Sequence, residues 1–159
     1  MGKMVKEQDV LAVLAHQCSL REYCRCDIRK KLRNKDFSEE KVEEIIAYLV
    51  DEGYISDKRY ARAYACDKSM LCGWGREKIF FNLRKKHISE DILKEVWEEL
   101  EHSPELLDKM RSVISNKWNS LSREETRKRV EKTLRFALGR GFRYEQIMRV
   151  LEEIKQEEV

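Results

Sequence analysis

KLRNKDFSEEKVEEII, residues 31–46, reads as a basic run, one apolar residue and an acidic helix start. NLRKKHISEDILKEVW, residues 82–97, repeats that order 51 positions on. Take Phe37 and Ile88 as anchors. Apolar residues then recur at Val42, Ile45, Ile46 and Leu49, and at Leu93, Val96, Trp97 and Leu100. Spacings of three and four residues put them on one helical face that must be buried. With Phe142 as a third anchor, Ile147, Val150, Leu151 and Ile154 fall at matching places.

A second helix precedes each anchor, marked by Ile28 and Leu32, then Ile79 and Leu83. In the third copy Leu134 and Leu138 take this role, each lying a single position closer to the anchor, a difference assigned to the turn near Gly139 and Gly141. A first helix precedes each pair, at about 5–17, 57–71 and 104–119. Its apolar residues are Val10, Leu11, Val13 and Leu14, then Tyr60, Ala61, Ala63 and Tyr64, then Leu106, Leu107, Met110, Val113 and Ile114. Tyr60 and Tyr64 share a face and are expected to pack together, and Trp97 belongs to the core stripe.

Boundary residues fit this frame. Ser38 and Ser89 stand at N-cap positions before Glu39-Glu40 and Glu90-Asp91, where the helix dipole favours anions. Ser103-Pro104 offers an N-cap with proline in the first turn. Ser19-x-x-Glu22 and Ser122-x-x-Glu125 have the spacing of capping boxes opening second helices. Gly73-Trp74-Gly75 reads as a flexible turn, and Gly53 can close the first unit. The expectation is an all-α protein of three tandem three-helix units, 1–53, 54–102 and 103–159, forming an elongated, curved helical array. Six glycines and one proline in 159 residues leave too little turn punctuation for a sheet protein.

Charge follows the repeat. Residues 1–35 hold nine basic and four acidic residues, whereas residues 36–53 hold one and seven. Residues 54–90 and 91–108 repeat those two counts, and 109–143 hold eleven and three. The formal net charge of +3 hides this alternation. Terminal cations complementing helix dipoles explain some of it. They do not explain a basic run extending through several turns of residues 123–143. Basic helices lining one side would suit phosphates or an acidic protein groove.

The same scan argues against chemistry. His16, His87 and His102 fall in different units, and no nucleophile–base pairing suggests itself. Cys24 and Cys26 lie two apart on a helix, a poor arrangement for sharing a metal. Gly73-Trp74-Gly75-Arg76 lacks the phosphate-loop pattern. No enzyme activity, cofactor or metal is expected. The N-terminus lacks a secretory core, and five cysteines form an odd set suited to free thiols in a reducing cytoplasm. Trp74 has two readings, an exposed anchor for a partner or base, or a plug between the first and second units. Trp118 is open to either reading.

The segment RxDIRKKLxxKxFSEEKVEEIIxYLxxEGYISDKRYARAY, followed by GWGREKIxxxLRKKHISEDIL, resembles the RecX family of bacterial regulatory proteins. Leu49, Gly53, Tyr54, Ile55, Ser56, Asp57, Arg59, Tyr60 and Ala61 carry the junction motif, and Gly73, Gly75, Ile79 and Leu83 fit the second unit. One departure is His87, where the family often has glycine, which suggests a different C-cap. The resemblance implies a non-enzymatic, monomeric modulator that binds the RecA recombinase, lies in the groove of its DNA-bound filament and restrains filament growth, ATP hydrolysis and strand exchange. It implies weak binding to single- or double-stranded DNA; the absence of any run of about 18 apolar residues separately argues against a membrane span. Candidate contact residues are Arg59, Arg62, Lys68, Trp74, Arg76, Lys78, Arg84, Lys85, Lys86, Arg127, Lys128, Arg135, Arg140 and Arg143. Two other classes remain open: a helix-turn-helix DNA-binding regulator and a helical-repeat scaffold for an acidic protein.

Overall fold

The computed structural model describes residues 2–159, with side chains described from residue 7 onward. The described residues form nine helices and no strand: α1 (Gly2–Leu20), α2 (Arg25–Leu32), α3 (Glu39–Asp51), α4 (Asp57–Cys72), α5 (Arg76–Lys85), α6 (Glu90–Leu100), α7 (Pro104–Ser120), α8 (Thr126–Gly139) and α9 (Tyr144–Glu157). They group as three tandem three-helix units. Each third helix buries the face its spacing predicts: Ile45, Ile46 and Leu49 on α3, Leu93 and Val96 on α6, and Ile147, Val150, Leu151 and Ile154 on α9. The accessible surface is 10375 Å². A compact chain of 19.1 kDa would expose about 8,400 Å². The excess is that of an elongated array of small cores.

Three apolar clusters make those cores. Leu14, Ile28 and Leu32 meet the α3 stripe in the first. Ala61 and Ala65 of α4, Ile79, Phe80 and Leu83 of α5, and the α6 stripe make the second. Ile114 and Trp118 of α7, Ala137 of α8 and the α9 stripe make the third. The middle cluster also takes in Cys24 and Cys26, so the start of α2 is embedded in the packing of the next unit.

The second helix of the last unit keeps the register of the other two. The wholly buried positions nine and five before Phe142 are Thr133 and Ala137. Leu138 is 46% exposed, and Leu134 only packs against the cluster's edge. The turn therefore has the same length in all three units, contrary to the expected one-residue difference. Phe142 N–H donates to the Ala137 carbonyl just as Ile88 N–H donates to that of Leu83. The misreading has a volumetric cause. Small Ala61 and Ala65 face large Ile79 and Leu83 in the middle unit, whereas large Ile114 and Trp118 face small Thr133 and Ala137 in the last. Bulk has changed sides across the helix pair.

Several boundaries follow expectation. The Ser38 and Ser89 hydroxyls accept from the N–H of Lys41 and Ile92 at 3.1 and 3.3 Å. Proline opens α7 after Ser103. Gly53, at φ 77°, reverses the chain after α3. Tyr60 and Tyr64 stack with ring centres 6.1 Å apart, and half-buried Trp97 meets Phe80 edge-on at 5.9 Å. Other boundaries differ. Ser19 lies inside α1, and α2 opens on Cys24, whose N–H donates to Asp27 Oδ2 at 3.3 Å. Ser122 caps nothing, because α7 runs to Ser120 and α8 starts after Glu125. Val13, expected to face the core, is 55% exposed. His87 adopts φ 59°, so the turn keeps the left-handed conformation despite lacking glycine.

Candidate interaction surface

Successive units are joined by one rule: the start of a second helix seats on the turn that ends the next unit's second helix. Between the last two units the two backbones nearly touch. Gly75 N–H donates to the Arg140 carbonyl at 2.7 Å, and Glu77 N–H to the Gly141 carbonyl at 2.9 Å. The turn of the last unit thereby caps α5, which has no side-chain cap of its own. A Cβ on Gly75 would lie 2.5 Å from Phe142 N, and one on Gly141 would lie 2.5 Å from Lys78 Cβ. The Gly-Trp-Gly turn is accordingly pinned rather than flexible, with Trp74 N–H also held by the Lys68 carbonyl at 3.0 Å.

Between the first two units the equivalent residues are Cys24 and His87, and side-chain bonds replace the backbone crossing. Lys86 Nζ bonds Asp27 Oδ1 at 2.7 Å. Arg25 N–H bonds Asp57 Oδ1 at 3.0 Å. Arg59 reaches Glu22 at 3.2 Å and the Gly53 carbonyl at 2.8 Å. Burial raises the Asp27 pKa, but the hydrogen bonds from Lys86 and Cys24 outweigh it and hold the carboxyl below its ordinary value. The bond to Asp27 raises Lys86 in turn. Burial pushes the Cys24 thiol up to about 12, so it sits at this joint as a neutral, apolar group.

These joints lay the second helices end to end: the C-terminal turn of α8 against the start of α5, and the C-terminal turn of α5 against the start of α2. Residues 25–32 and 76–85 each carry four cations and one anion, and residues 126–139 carry five and one. The three helices thus hold +10 on a chain of formal charge +3. Their lengths are about 12, 15 and 21 Å at the α-helical rise per residue.

Several first-helix cations are paired with the third helices of their own units. Lys58 pairs with Glu95 and Glu99 at 3.2 and 3.3 Å, and Arg62 with Glu99 at 2.6 Å. Arg111 clamps Glu153 and Glu157. The acidic third helices thus pair with the first helices of their own units, and they also reach the second helices, Arg29 with Glu43 at 2.9 Å and Arg84 with Glu90 at 2.7 Å; Lys30, Lys85, Lys128 and Arg135 stay exposed on the second helices.

The sequence-predicted contact residues divide accordingly. Arg59, Arg62 and Lys86 are held in the bridges just described. Arg140 donates to the Cys72 carbonyl at 2.8 Å and lies over Phe136. Arg143 lies 3.9 Å from Glu77 across the joint. Arg76 pairs with Glu77 at 2.7 Å, Arg84 pairs with Glu90 at 2.7 Å, and both flank the Phe80 ring. Lys68 and Lys78 approach the Trp74 ring to 4.9 and 4.4 Å, and Lys85 approaches that of Phe81 to 4.4 Å. Arg127, Lys128 and Arg135 are exposed on α8, Arg127 making only a 3.5 Å pair with Glu131. Trp74 is half-buried at the edge of the middle cluster beside Tyr64, not between the first two units. Trp118 is core: 1% exposed, its Nε1 bonded to Glu158 at 2.8 Å, with Arg129 over its ring at 3.9 Å.

Sequence reasoning passed over Phe81 and Tyr23. Phe81 is 58% exposed, seven residues past Trp74 on the same side of α5. Tyr23 holds the position equivalent to Trp74 and is approached by Arg21 and Lys31 at 4.4 and 4.8 Å. Counting backward from the anchors would have aligned both.

Comparison with known proteins places this architecture. Residues 56–96 match the family description "RecX, second three-helix domain", and residues 104–151 match "RecX, third three-helix domain". The chain is 34% identical over 134 residues to the Regulatory protein RecX of Clostridium acetobutylicum, covering 82% of this chain and 62% of that protein. It is 30% identical over 127 residues to the Regulatory protein RecX of Haemophilus influenzae, covering 79% and 81%. The chain belongs to the RecX family. The crystal structure of RecX from Lactobacillus salivarius superposes with a TM-score of 0.83 at 25% identity, covering 94% of this chain and 96% of that one. A further RecX crystal structure, at 22% identity, shares the fold with a TM-score of 0.76. The chain spans less than two thirds of the clostridial relative's length. RecX relatives carry the name of regulatory proteins, and among the described residues no helix is long and apolar enough to cross a membrane.

Proposed function

We propose that this RecX-family chain is a regulator that binds RecA and its DNA filament and restrains filament extension, ATP hydrolysis and strand exchange. It acts as a monomer in the cytoplasm, through the repeats 1–53, 54–102 and 103–159. The observation that carries the reading is the end-to-end line of second helices bearing +10 on a chain of +3. Such a line follows a polyanion or an acidic groove over a length that no single helix here attains. The acidic third helices give the opposite sides of the units another character, which suits a protein–DNA groove better than a general coat on duplex DNA.

The helix-turn-helix alternative has less support. A recognition helix presents its N-terminal residues to base edges, and the start of α5 is covered by the turn of the next unit. The test mixes the protein with RecA, single-stranded DNA and ATP. ATP hydrolysis should fall in proportion to added protein. Charge reversal of Arg127, Lys128 and Arg135 together should weaken the restraint while leaving the fold intact. An ATPase rate unmoved at saturating protein overturns the proposal.

A further inference from the structure

The line of second helices is not uniform, and its middle member carries something the others lack. On α5 and the turn before it, Trp74, Lys78, Phe81 and Lys85 follow at intervals of four, three and four residues, which is one face of a helix. Aromatic and cationic side chains alternate along it, with Lys78 at Trp74 and Lys85 at Phe81. In equivalent positions α8 carries Lys128, Lys132, Arg135 and Gly139, a row of cations without a ring. The α2 row is Tyr23, Asp27, Lys30 and Asn34, and its Asp27 is committed to Lys86. The place of Phe81 is thus a charged surface position in both other units, yet here it holds a ring that is 58% exposed. It adds nothing to the core, because Ile79, Phe80 and Leu83 already fill the buried side of α5.

An exposed ring flanked by mobile ammonium groups is the chemistry that takes an unpaired base. The base stacks on the π-face, and the lysines meet the phosphates on either side. Bases inside a duplex offer no free face, so such a site separates single strands from double strands without reading sequence. The neighbouring Trp74 adds a second ring, steadied by Tyr64 at 6.5 Å and by Lys68.

We infer that the α5 row is a base-stacking site for single-stranded nucleic acid, with Phe81 as the exposed platform, Trp74 as the second ring and Lys78 and Lys85 as the phosphate contacts. The inference rests on the proposed encounter with filament DNA and assigns the region of the surface that would meet unpaired bases.

The test needs no RecA. Fluorescence anisotropy of a labelled oligo-dT is titrated with the full chain, alongside an abasic strand of equal length and charge. Phe81→Ala should weaken oligo-dT binding by roughly 5- to 150-fold, the range for losing one stacked base. Phe81→Leu should be nearly as weak, and Phe81→Trp should restore binding. The abasic strand, which can stack on neither ring, should bind wild type no more tightly than oligo-dT binds Phe81→Ala. Replacing Lys78 and Lys85 with alanine should flatten the salt dependence by about 1.4 in log–log slope, two phosphates on a single strand. The inference is overturned if wild type does not bind oligo-dT, if Phe81→Ala binds like wild type, if Phe81→Leu keeps full affinity, or if the abasic strand binds equally well. Phe81-dependent binding with no effect on RecA would leave this site standing and sink the proposed regulation. Restraint of RecA with Phe81-independent binding would do the reverse.

Discussion

Replacing Gly75 with alanine adds one methyl group at the contact between the last two units, and the structure states what it meets. The new Cβ would lie 2.5 Å from Phe142 N and 2.6 Å from the carbonyl carbon and oxygen of Gly141. All three are backbone atoms, so no side chain can swing aside. Gly75 itself sits at φ −95° and ψ 178°, which alanine adopts freely. The cost is therefore one of space alone. Ordinary contact needs the two backbones to separate by nearly 1 Å, which stretches the 2.7 and 2.9 Å hydrogen bonds that cap α5. Losing two such bonds costs about 1–2 kcal/mol each, and the lost seating of Phe142 adds to that. Alanine's stiffer unfolded chain returns up to about 1 kcal/mol. The net destabilisation is about 2–3 kcal/mol, or roughly 5–10 °C in Tm at this chain length. Urea unfolding followed by far-ultraviolet circular dichroism and tryptophan fluorescence measures it. Gly139→Ala is the control: it lies at the end of α8 with no atom within 4 Å of its Cβ. That change should stabilise by about 0.5–1 kcal/mol. Two glycines near the same joint would then respond with opposite sign. Equal responses would refute the claim that the crossing is a close-packed weld.

His87→Gly should stabilise by about 0.5–1 kcal/mol in the same assay, because φ 59° is strained for a side-chain-bearing residue. Thr133→Val should stabilise by about 1 kcal/mol, since Thr133 Oγ1 is buried without a hydrogen-bond partner and valine keeps the shape; a loss of stability would mean the hydroxyl has a role. Asp27→Asn should cost about 1–2 kcal/mol at neutral pH by removing the charged bond to Lys86. The pH profile of that difference follows from the shifts. Asp27 is depressed in the fold, so its contribution is present above the unfolded value near 3.9 and fades as pH falls through the lower folded value. Lys86 is raised, so its contribution is full below about 10.4 and is lost as pH rises through the higher folded value. Wild type and Asp27→Asn should thus differ most between about pH 5 and 9, and a difference that persists at pH 2 would point to helix capping or packing instead of the ion pair.

The helices were legible because amphipathic spacing is a one-dimensional signal. The α3, α6 and α9 stripes were readable residue by residue, and the serines before α3 and α6 cap as their type predicts. The register of α8 was not legible, because periodicity rewards large apolar residues. Thr133 and Ala137 are buried by virtue of Trp118 on another helix, a complementarity invisible from either segment alone. The capping boxes at Ser19 and Ser122 failed for a related reason: preceding helices and turns extend through them, and capping chemistry cannot say which serine lies at a terminus. For the candidate surface, composition located the cations but not their partners. Arg62 and Lys86 resemble Lys78 and Lys85 as letters, and only three-dimensional pairing separates bridging cations from those left at the surface.

The separation of charge has a structural logic that links the fold to the proposed activity. A three-helix unit with cations on two helices and carboxylates on the third must divide those carboxylates between the two cationic helices. Lys58, Arg62 and Arg111 show that the first helix takes most of the paired third-helix carboxylates in the second and third units, while Arg29 and Arg84 of the second helices take Glu43 and Glu90. The second helix is the one whose ends form both joints, so its net positive surplus is strung along the contacts that join unit to unit. Helix starts at the joints also meet acceptors, the Arg140 and Gly141 carbonyls at α5 and the Asp57 carboxylate at α2, which the helix dipole favours. Surface ion pairs contribute little to stability, typically about 0–1 kcal/mol each. Their effect here is to decide which surface stays positive. A chain that paired its second helices instead would keep the same cores and nearly the same stability. It would lose the continuous cationic line, and with it the feature on which the proposed grip on a nucleoprotein filament depends.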